Sequence, residues 1–150
     1  MRAVIQRVKQ AKVNIEPDYE ASIGQGLLIF LGIEDVDTDQ DIDWLVKKVS
    51  QMRIFSDENG KMNLSLKDKN LEALVISQFT LHASTKKGNR PSFIKAAKPD
   101  FAEKMYKTFI LKLHEVLKTE VKTGKFGADM KVSLINDGPV TIFMDSKNKE

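Results

Sequence analysis

The sequence predicts a single α/β domain: a β-rich, barrel-like sheet, in effect two packed sheets, carrying two main helices. Three observations lead there. Alternating apolar runs dominate both ends of the chain, only two stretches carry helical periodicity, and 150 residues suffice for one core but not for two. Hydrophobic residues at 41% and charged residues at 30% exclude a disordered, collagen-like or coiled-coil chain. No repeat or Pro/Gly/Ser linker divides residues 1–150, and only the polar end 146–150 reads as a frayed tail.

Arg2 to Val8 and Lys12 to Ile15 alternate like half-buried strands, whereas Leu27 to Gly32, bounded by Gly24 and Gly26, reads as a strand covered on both faces. The first third is expected to form a meander. Thr38 caps a helix whose apolar positions Ile42, Leu45, Val46 and Val49 fall on one stripe, with the acids between Glu34 and Asp43 filling the positive end of its dipole. That is a blander account of the acidic run than a metal site. Asp57-Glu58-Asn59-Gly60 marks a turn between Met52–Phe55 and the polar stretch around Leu64, and Ala73 to Ser77 forms a second buried strand. Pro99 opens a long helix with the stripe Ala102, Met105, Tyr106, Phe109, Leu113, Val116 and Leu117. Val121 to Phe126, Met130 to Ile135 and Val140 to Met144 are expected as three closing strands.

Cysteine is absent, which removes disulfides, iron–sulfur sites and thiol nucleophiles, and two histidines, His82 and His114, cannot build a three-histidine zinc site. No metal and no cofactor are expected. The longest apolar run, Leu27 to Ile33, has seven residues, against roughly 20 for a membrane span. The amino terminus alternates like a strand and has no signal-peptide h-region, so no membrane partner is expected and the cytoplasm is the expected compartment. A net charge of +3 is too small for nucleic-acid binding by bulk charge. The charge is unevenly spread, however: between His82 and Lys98 lie Lys86, Lys87, Arg90, Lys95 and Lys98 and no acid.

Two segments do not read as ordinary core. In Ser77-Gln78-Phe79-Thr80-Leu81 a buried strand runs into three hydrogen-bonding side chains; taken alone, these are compatible with simple capping of a strand end. Asn136-Asp137-Gly138-Pro139-Val140-Thr141 carries a Gly-Pro step that, taken alone, is compatible with a turn. Together and in this order they resemble the D-aminoacyl-tRNA deacylase family, whose signatures are the Ser-Gln-Phe-Thr-Leu strand end and a Gly-Pro-Val-Thr segment near the carboxyl terminus. The resemblance extends to Met1-Arg2-Ala3-Val4-Ile5-Gln6-Arg7-Val8, to the Gly26 to Gly32 strand and to Gly88-Asn89-Arg90-Pro91-Ser92-Phe93.

The resemblance implies an enzyme that hydrolyses the ester joining a D-amino acid to the terminal adenosine of tRNA, releasing D-amino acid and free tRNA. It assigns Gln78 and the backbone N–H groups of Phe79 and Thr80 to an oxyanion site, with the Ser77 and Thr80 hydroxyls beside it. An activated ester needs positioning more than a strong nucleophile, and no His/Asp pair stands at a readable spacing to activate Thr80. His82, which would share a face with Thr80 on an extended strand, is the one nearby base. The favoured alternative is assistance by the vicinal ribose 2′-hydroxyl. Gly138 and Pro139, with Val140 and Thr141, are implied as a wall that excludes L-substrates; a cis Gly-Pro peptide would set two carbonyls side by side. The family inserts this dipeptide into the partner's pocket, which implies a homodimer, and Arg7 resembles the arginine that fastens the segment, a surface ion pair being the alternative. Steric rejection leaves glycyl-tRNA as an expected further substrate. For RNA, Lys86, Lys87, Arg90 and Lys95 are expected on phosphates and Phe93 as an apolar or stacking surface, against a merely solvated loop. The weighed alternatives are a non-catalytic tRNA-acceptor-binding or synthetase-associated editing-like module, and a DNA-unwinding-element binding role. The latter depends in relatives on a carboxyl-terminal extension, and with the sequence ending at Glu150 no DNA partner is expected.

Overall fold

The structure is a computed structural model in which residues 1–149 are described. Eleven elements follow in order: β1 (Arg2–Ile15), β2 (Tyr19–Ile23), β3 (Gly26–Gly32), α1 (Asp39–Gln51), β4 (Phe55–Ser56), β5 (Met62–Leu64), β6 (Glu72–Ser77), a 3₁₀ turn (Phe79–His82), α2 (Pro99–Leu117), β7 (Val121–Thr123) and β8 (Lys131–Asp145). Six strands form one barrel-like sheet, with order β2-β1-β3-β6-β7 and β8 paired to β1, and β4-β5 form a small second sheet. No helix among the described residues is long and apolar enough to cross a membrane.

The two strands expected at the amino terminus are one, because Lys9 and Gln10, though exposed, stay in extended backbone between the two apolar halves. Nor is the first third a meander. β1 is the shared partner: its second half pairs antiparallel with β2 and its first half with β3. β3 then pairs in parallel with β6 and β6 with β7, which requires the crossovers supplied by α1 and α2. Along β3, Leu27, Ile29 and Leu31 join the core under the helices while Leu28 joins the cluster on the opposite face, so the strand is covered on both sides as expected. Gly26 permits the parallel pairing, since a Cβ there would lie 2.0 Å from the Glu72 carbonyl oxygen.

Helix α1 starts at the Thr38 cap, where Asp41 accepts from the Thr38 N–H at 2.8 Å and from its hydroxyl at 3.0 Å. Helix α2 opens on Pro99, and its expected stripe is buried except for half-buried Val116. Beneath it the Tyr106 hydroxyl donates to the Val75 carbonyl at 2.7 Å; burial pushes that phenol well above its ordinary range.

The closing strands and the tail depart from expectation. Val121–Thr123 forms β7, but the other two predicted strands merge into β8, because both flanks of the Gly-Pro step pair with the same strand, β1. The tail is not frayed where it begins. Ser146 is buried, accepts from the Met1 α-ammonium at 2.9 Å and donates to Asp41 Oδ1 at 2.6 Å, while Lys147 reaches Asp41 Oδ2 at 2.7 Å. The α-ammonium also donates to buried Asp37. Glu150, the last residue of the expected tail, lies outside the described residues.

Candidate active site

Strand β6 delivers Ser77 and Gln78 to the rim of the sheet. The chain stays pinned there by Gln78 N–H donating to the Leu31 carbonyl at 2.8 Å, and then turns at once into the 3₁₀ helix. That turn can pack closely on β3 because position 32 is glycine: a Cβ there would come within 2.9 Å of the Gln78 carbonyl oxygen. The first N–H groups of a 3₁₀ turn have no earlier carbonyl to bond, and among the described residues Phe79 and Thr80 find no other acceptor for theirs. The Gln78 side-chain amide donates to the Thr80 hydroxyl. Ser77 and Gln78 are half-buried, Phe79 and Thr80 exposed. The segment therefore presents backbone donors and a side-chain amide together at the surface.

Beside it opens a cavity of about 690 Å³, lined by Ser77, Gln78, Phe79 and Phe93 and floored by apolar residues including Leu31 and Met130. Phe93 meets Phe79 edge to face, ring centroids 5.1 Å apart. Phe126, Ala128 and Val132 also line this space; they lie about 50 residues from Gln78, and no local pattern in the sequence marks them as partners of the strand end.

His82 does not share an exposed face with Thr80. The 3₁₀ turn rotates its ring inward, where it is 1% exposed, with neither ring nitrogen hydrogen-bonded and Nδ1 3.7 Å from Glu34 Oε1. Burial holds its pKa below the ordinary histidine value, only partly opposed by the Gly32 backbone and the Glu34 carboxylate. The ring lies under the turn and makes no bond to the Thr80 hydroxyl, so its place does not suit a base on Thr80. No acid or imidazole is hydrogen-bonded to the Thr80 hydroxyl among the described residues.

The basic segment forms a short hairpin closed by paired backbone bonds between Ser84 and Ser92, of 2.8 and 2.9 Å. Lys86, Lys87, Arg90 and Lys95 are exposed and make no ion pair among the described residues, whereas Lys12, Lys107, Lys112, Lys122, Lys131 and Lys147 each face an acid. The loop returns toward the sheet through Ala97 N–H to the Ile33 carbonyl at 2.9 Å, and of this segment Phe93, Ala96, Ala97 and Lys98 line the cavity.

The second signature is built elsewhere in the chain. Gly138–Pro139 is a cis peptide, both residues are exposed, and neither lines the cavity. Arg7 lies almost buried against the segment: Nε donates to the Asp137 carbonyl at 3.1 Å and lies 3.3 Å from its carboxylate, and Nη1 donates to the Ile54 carbonyl. Val140 packs half-buried against the core, and exposed Thr141 accepts from the Gln6 amide at 3.3 Å. Sequence reasoning passed over Asn136, whose side chain bonds within this segment. Among the described residues no group of three or more His, Asp or Glu side chains is gathered as a metal site.

The D-Tyr-tRNA(Tyr) deacylase family model matches residues 4–145. A D-aminoacyl-tRNA deacylase of Flavobacterium johnsoniae is 61% identical over 150 residues, covering all of both chains, and one of Bacteroides thetaiotaomicron is 60% identical over the same span. Among solved structures, the c-Myc DNA Unwinding Element Binding Protein superposes with a TM-score of 0.90 at 40% identity, covering 97% of this chain and 98% of that one. A probable eukaryotic D-amino acid tRNA deacylase superposes with a TM-score of 0.85 at 17% identity, covering 95% and 97%, a likeness of fold. Matched along nearly its whole length, with both signature segments intact at the sites just described, this chain belongs to the D-Tyr-tRNA(Tyr) deacylase family.

Proposed function

We propose that this protein hydrolyses the ester of D-aminoacyl-tRNA, and that the strand end Ser77–Thr80 is where the ester carbonyl binds. The observation that carries the reading is the pair of unpartnered N–H groups at the exposed residues Phe79 and Thr80, in the turn that carries the Gln78 amide, next to a cavity of about 690 Å³. Such donors stabilise an oxygen whose negative charge develops as the carbonyl becomes tetrahedral. Water adds to the carbonyl carbon, the bond to the ribose oxygen breaks, and that oxygen leaves with a proton. The vicinal 2′-hydroxyl supplies the proton relay, a role supported by the absence of any base on Thr80 among the described residues. Ser77 and Thr80 then serve as positioning hydroxyls.

The acceptor end of the tRNA lies along Lys86, Lys87, Arg90 and Lys95, where unpaired cations meet phosphate, and Phe93 offers its ring to a base. The active unit is a homodimer in which Gly138 and Pro139 of one subunit wall the pocket of the other. Two features support this: β8 has only β1 as a strand partner among the described residues, and Ile135 and Phe143 stand 49% and 59% exposed along it. The cytoplasm, where charged tRNA circulates, is the compartment that fits. The test is incubation of the purified protein with D-aminoacyl-tRNA: release of free D-amino acid supports the reading, and binding with the ester left intact returns the protein to a non-catalytic acceptor-binding module.

A further inference from the structure

Between Asn136 and Thr141 the ladder joining β8 to β1 is interrupted. Gln6 pairs with Thr141 and Val8 with Asn136, so residues 137–140 face Arg7 alone. Backbone groups in such a bulge lose their ladder partners and need substitutes. Two side chains supply them from opposite directions. Arg7 reaches over to the Asp137 carbonyl, and Asn136 reaches back: its Nδ2 donates to the Arg7 carbonyl at 2.9 Å and to the Val140 carbonyl at 3.2 Å. The second bond closes the loop 136–140 on itself, with Gly138 and Pro139 at its crest. The amide oxygen is left to the Thr141 hydroxyl, 3.5 Å away, which in turn accepts from Gln6. The amide carries two hydrogens on one atom to meet the two carbonyls; an aspartate of the same size would set a carboxylate against both.

We propose that Asn136 is the positioning residue that fixes the direction in which Gly138 and Pro139 face, and thereby the chiral selectivity, separately from Arg7. The proposal rests on the reading of Gly138 and Pro139 as the wall against L-substrates.

The test compares Asn136→Asp with the unaltered protein by the ratio of kcat/KM on D- and L-aminoacyl-tRNA, by KM for the D-substrate, and by hydrogen–deuterium exchange over residues 136–141. The expected result is faster exchange confined to that segment, a D:L ratio lower by about tenfold or more, and a KM within about twofold of the original. Asn136→Ser, which retains one donor, should fall between and serves if the aspartate variant does not fold. Unchanged exchange over 136–141, or an unchanged D:L ratio, overturns the proposal. Gly138→Ala in parallel separates the two claims: if it lowers the ratio and Asn136→Asp does not, only the role of Asn136 falls; if neither variant lowers it, the wall falls as well.

Discussion

Arg7 and Gly138 approach so closely that a Cβ built on Gly138 would lie 2.6 Å from Arg7 Nη2. The backbone there has φ near +126°, a conformation that an L side chain rarely adopts. Gly138→Ala should therefore push the guanidinium off the Asp137 carbonyl and re-aim the exposed crest, while the helices and the sheet core, which do not touch Gly138, stay folded. The expected outcome is a fall in kcat/KM on D-aminoacyl-tRNA of about tenfold or more with the far-UV spectrum unchanged. Arg7→Lys, which keeps the charge but not the fork that reaches both Asp137 and Ile54, should give a similar but smaller loss.

At the strand end, Gln78→Ala removes the amide beside the free Phe79 and Thr80 N–H groups and should lower kcat by about 10²-fold. Thr80→Ala should keep much of its activity, because the hydroxyl has no base. Substrate lacking the terminal 2′-hydroxyl should react poorly with both the unaltered and the Thr80→Ala protein. The opposite pattern, a dead Thr80→Ala and a normal 2′-deoxy substrate, makes Thr80 the nucleophile.

Replacing Lys86, Lys87 and Arg90 with Gln should raise KM and flatten its dependence on salt, since fewer counterions leave the RNA on binding. Each neutralised phosphate contact should lower the log–log salt slope by about 0.7 to 0.9. A triple variant with the original slope would make the hairpin mere solvated surface.

His82 sets a pH limit on stability. Its pKa in the folded protein is depressed by burial, so below the ordinary value of 6.5 the unfolded chain takes up a proton that the folded protein refuses. Stability is full above that value and falls as pH drops through it toward the depressed one. Besides burial, the Gly32 backbone and the Glu34 carboxylate favour protonation of the ring, while the charges of Arg2 and the Met1 α-ammonium oppose it. Burial would raise the Asp41 pKa, but bonds from Lys147, Ser146 and Thr38 outweigh it and hold the carboxyl below its ordinary 3.8, so its loss comes only at lower pH. Between pH 7 and 5 the Tm should fall by a few degrees, and His82→Leu should flatten that slope. An equal slope in the variant would assign the acid sensitivity to another group.

Both helices were legible because their signals are local: Thr38 with Asp41, and Pro99 with its apolar stripe. The joining of two predicted strands into β1, and of two more into β8, was not. Lys9-Gln10 and Gly138-Pro139 read as breaks along the chain, yet each is spanned by pairing to a distant strand. The buried tail was hidden for the same reason, as Ser146 meets a carboxylate 105 residues away. For the site, the strand end at Ser77 stood out only through the resemblance carried by Ser77-Gln78-Phe79-Thr80-Leu81, while the acid-free basic run between His82 and Lys98 was visible in the sequence itself. The inward turn of His82 was not, because it depends on a 3₁₀ geometry that Gly32 makes room for. Phe126 and Met130 reach the cavity only through the closing of the sheet.

Chiral selection by a wall at Gly138 and Pro139 makes a demand that a side-chain pocket does not. If the ammonium and the carbonyl of the substrate are both held, an L side chain collides with the wall, a D side chain points away from it, and glycine, with hydrogen in both directions, passes. The deciding measurement is the hydrolysis rate of D-, L- and glycyl-tRNA by the purified protein under one set of conditions. The account predicts that several D-substrates of different size are hydrolysed at least about a hundredfold faster than their L-counterparts, and glycyl-tRNA at a rate close to that of the D-substrates. Hydrolysis of L-aminoacyl-tRNA at the D rate, or activity confined to one D side chain with glycyl-tRNA refused, contradicts it.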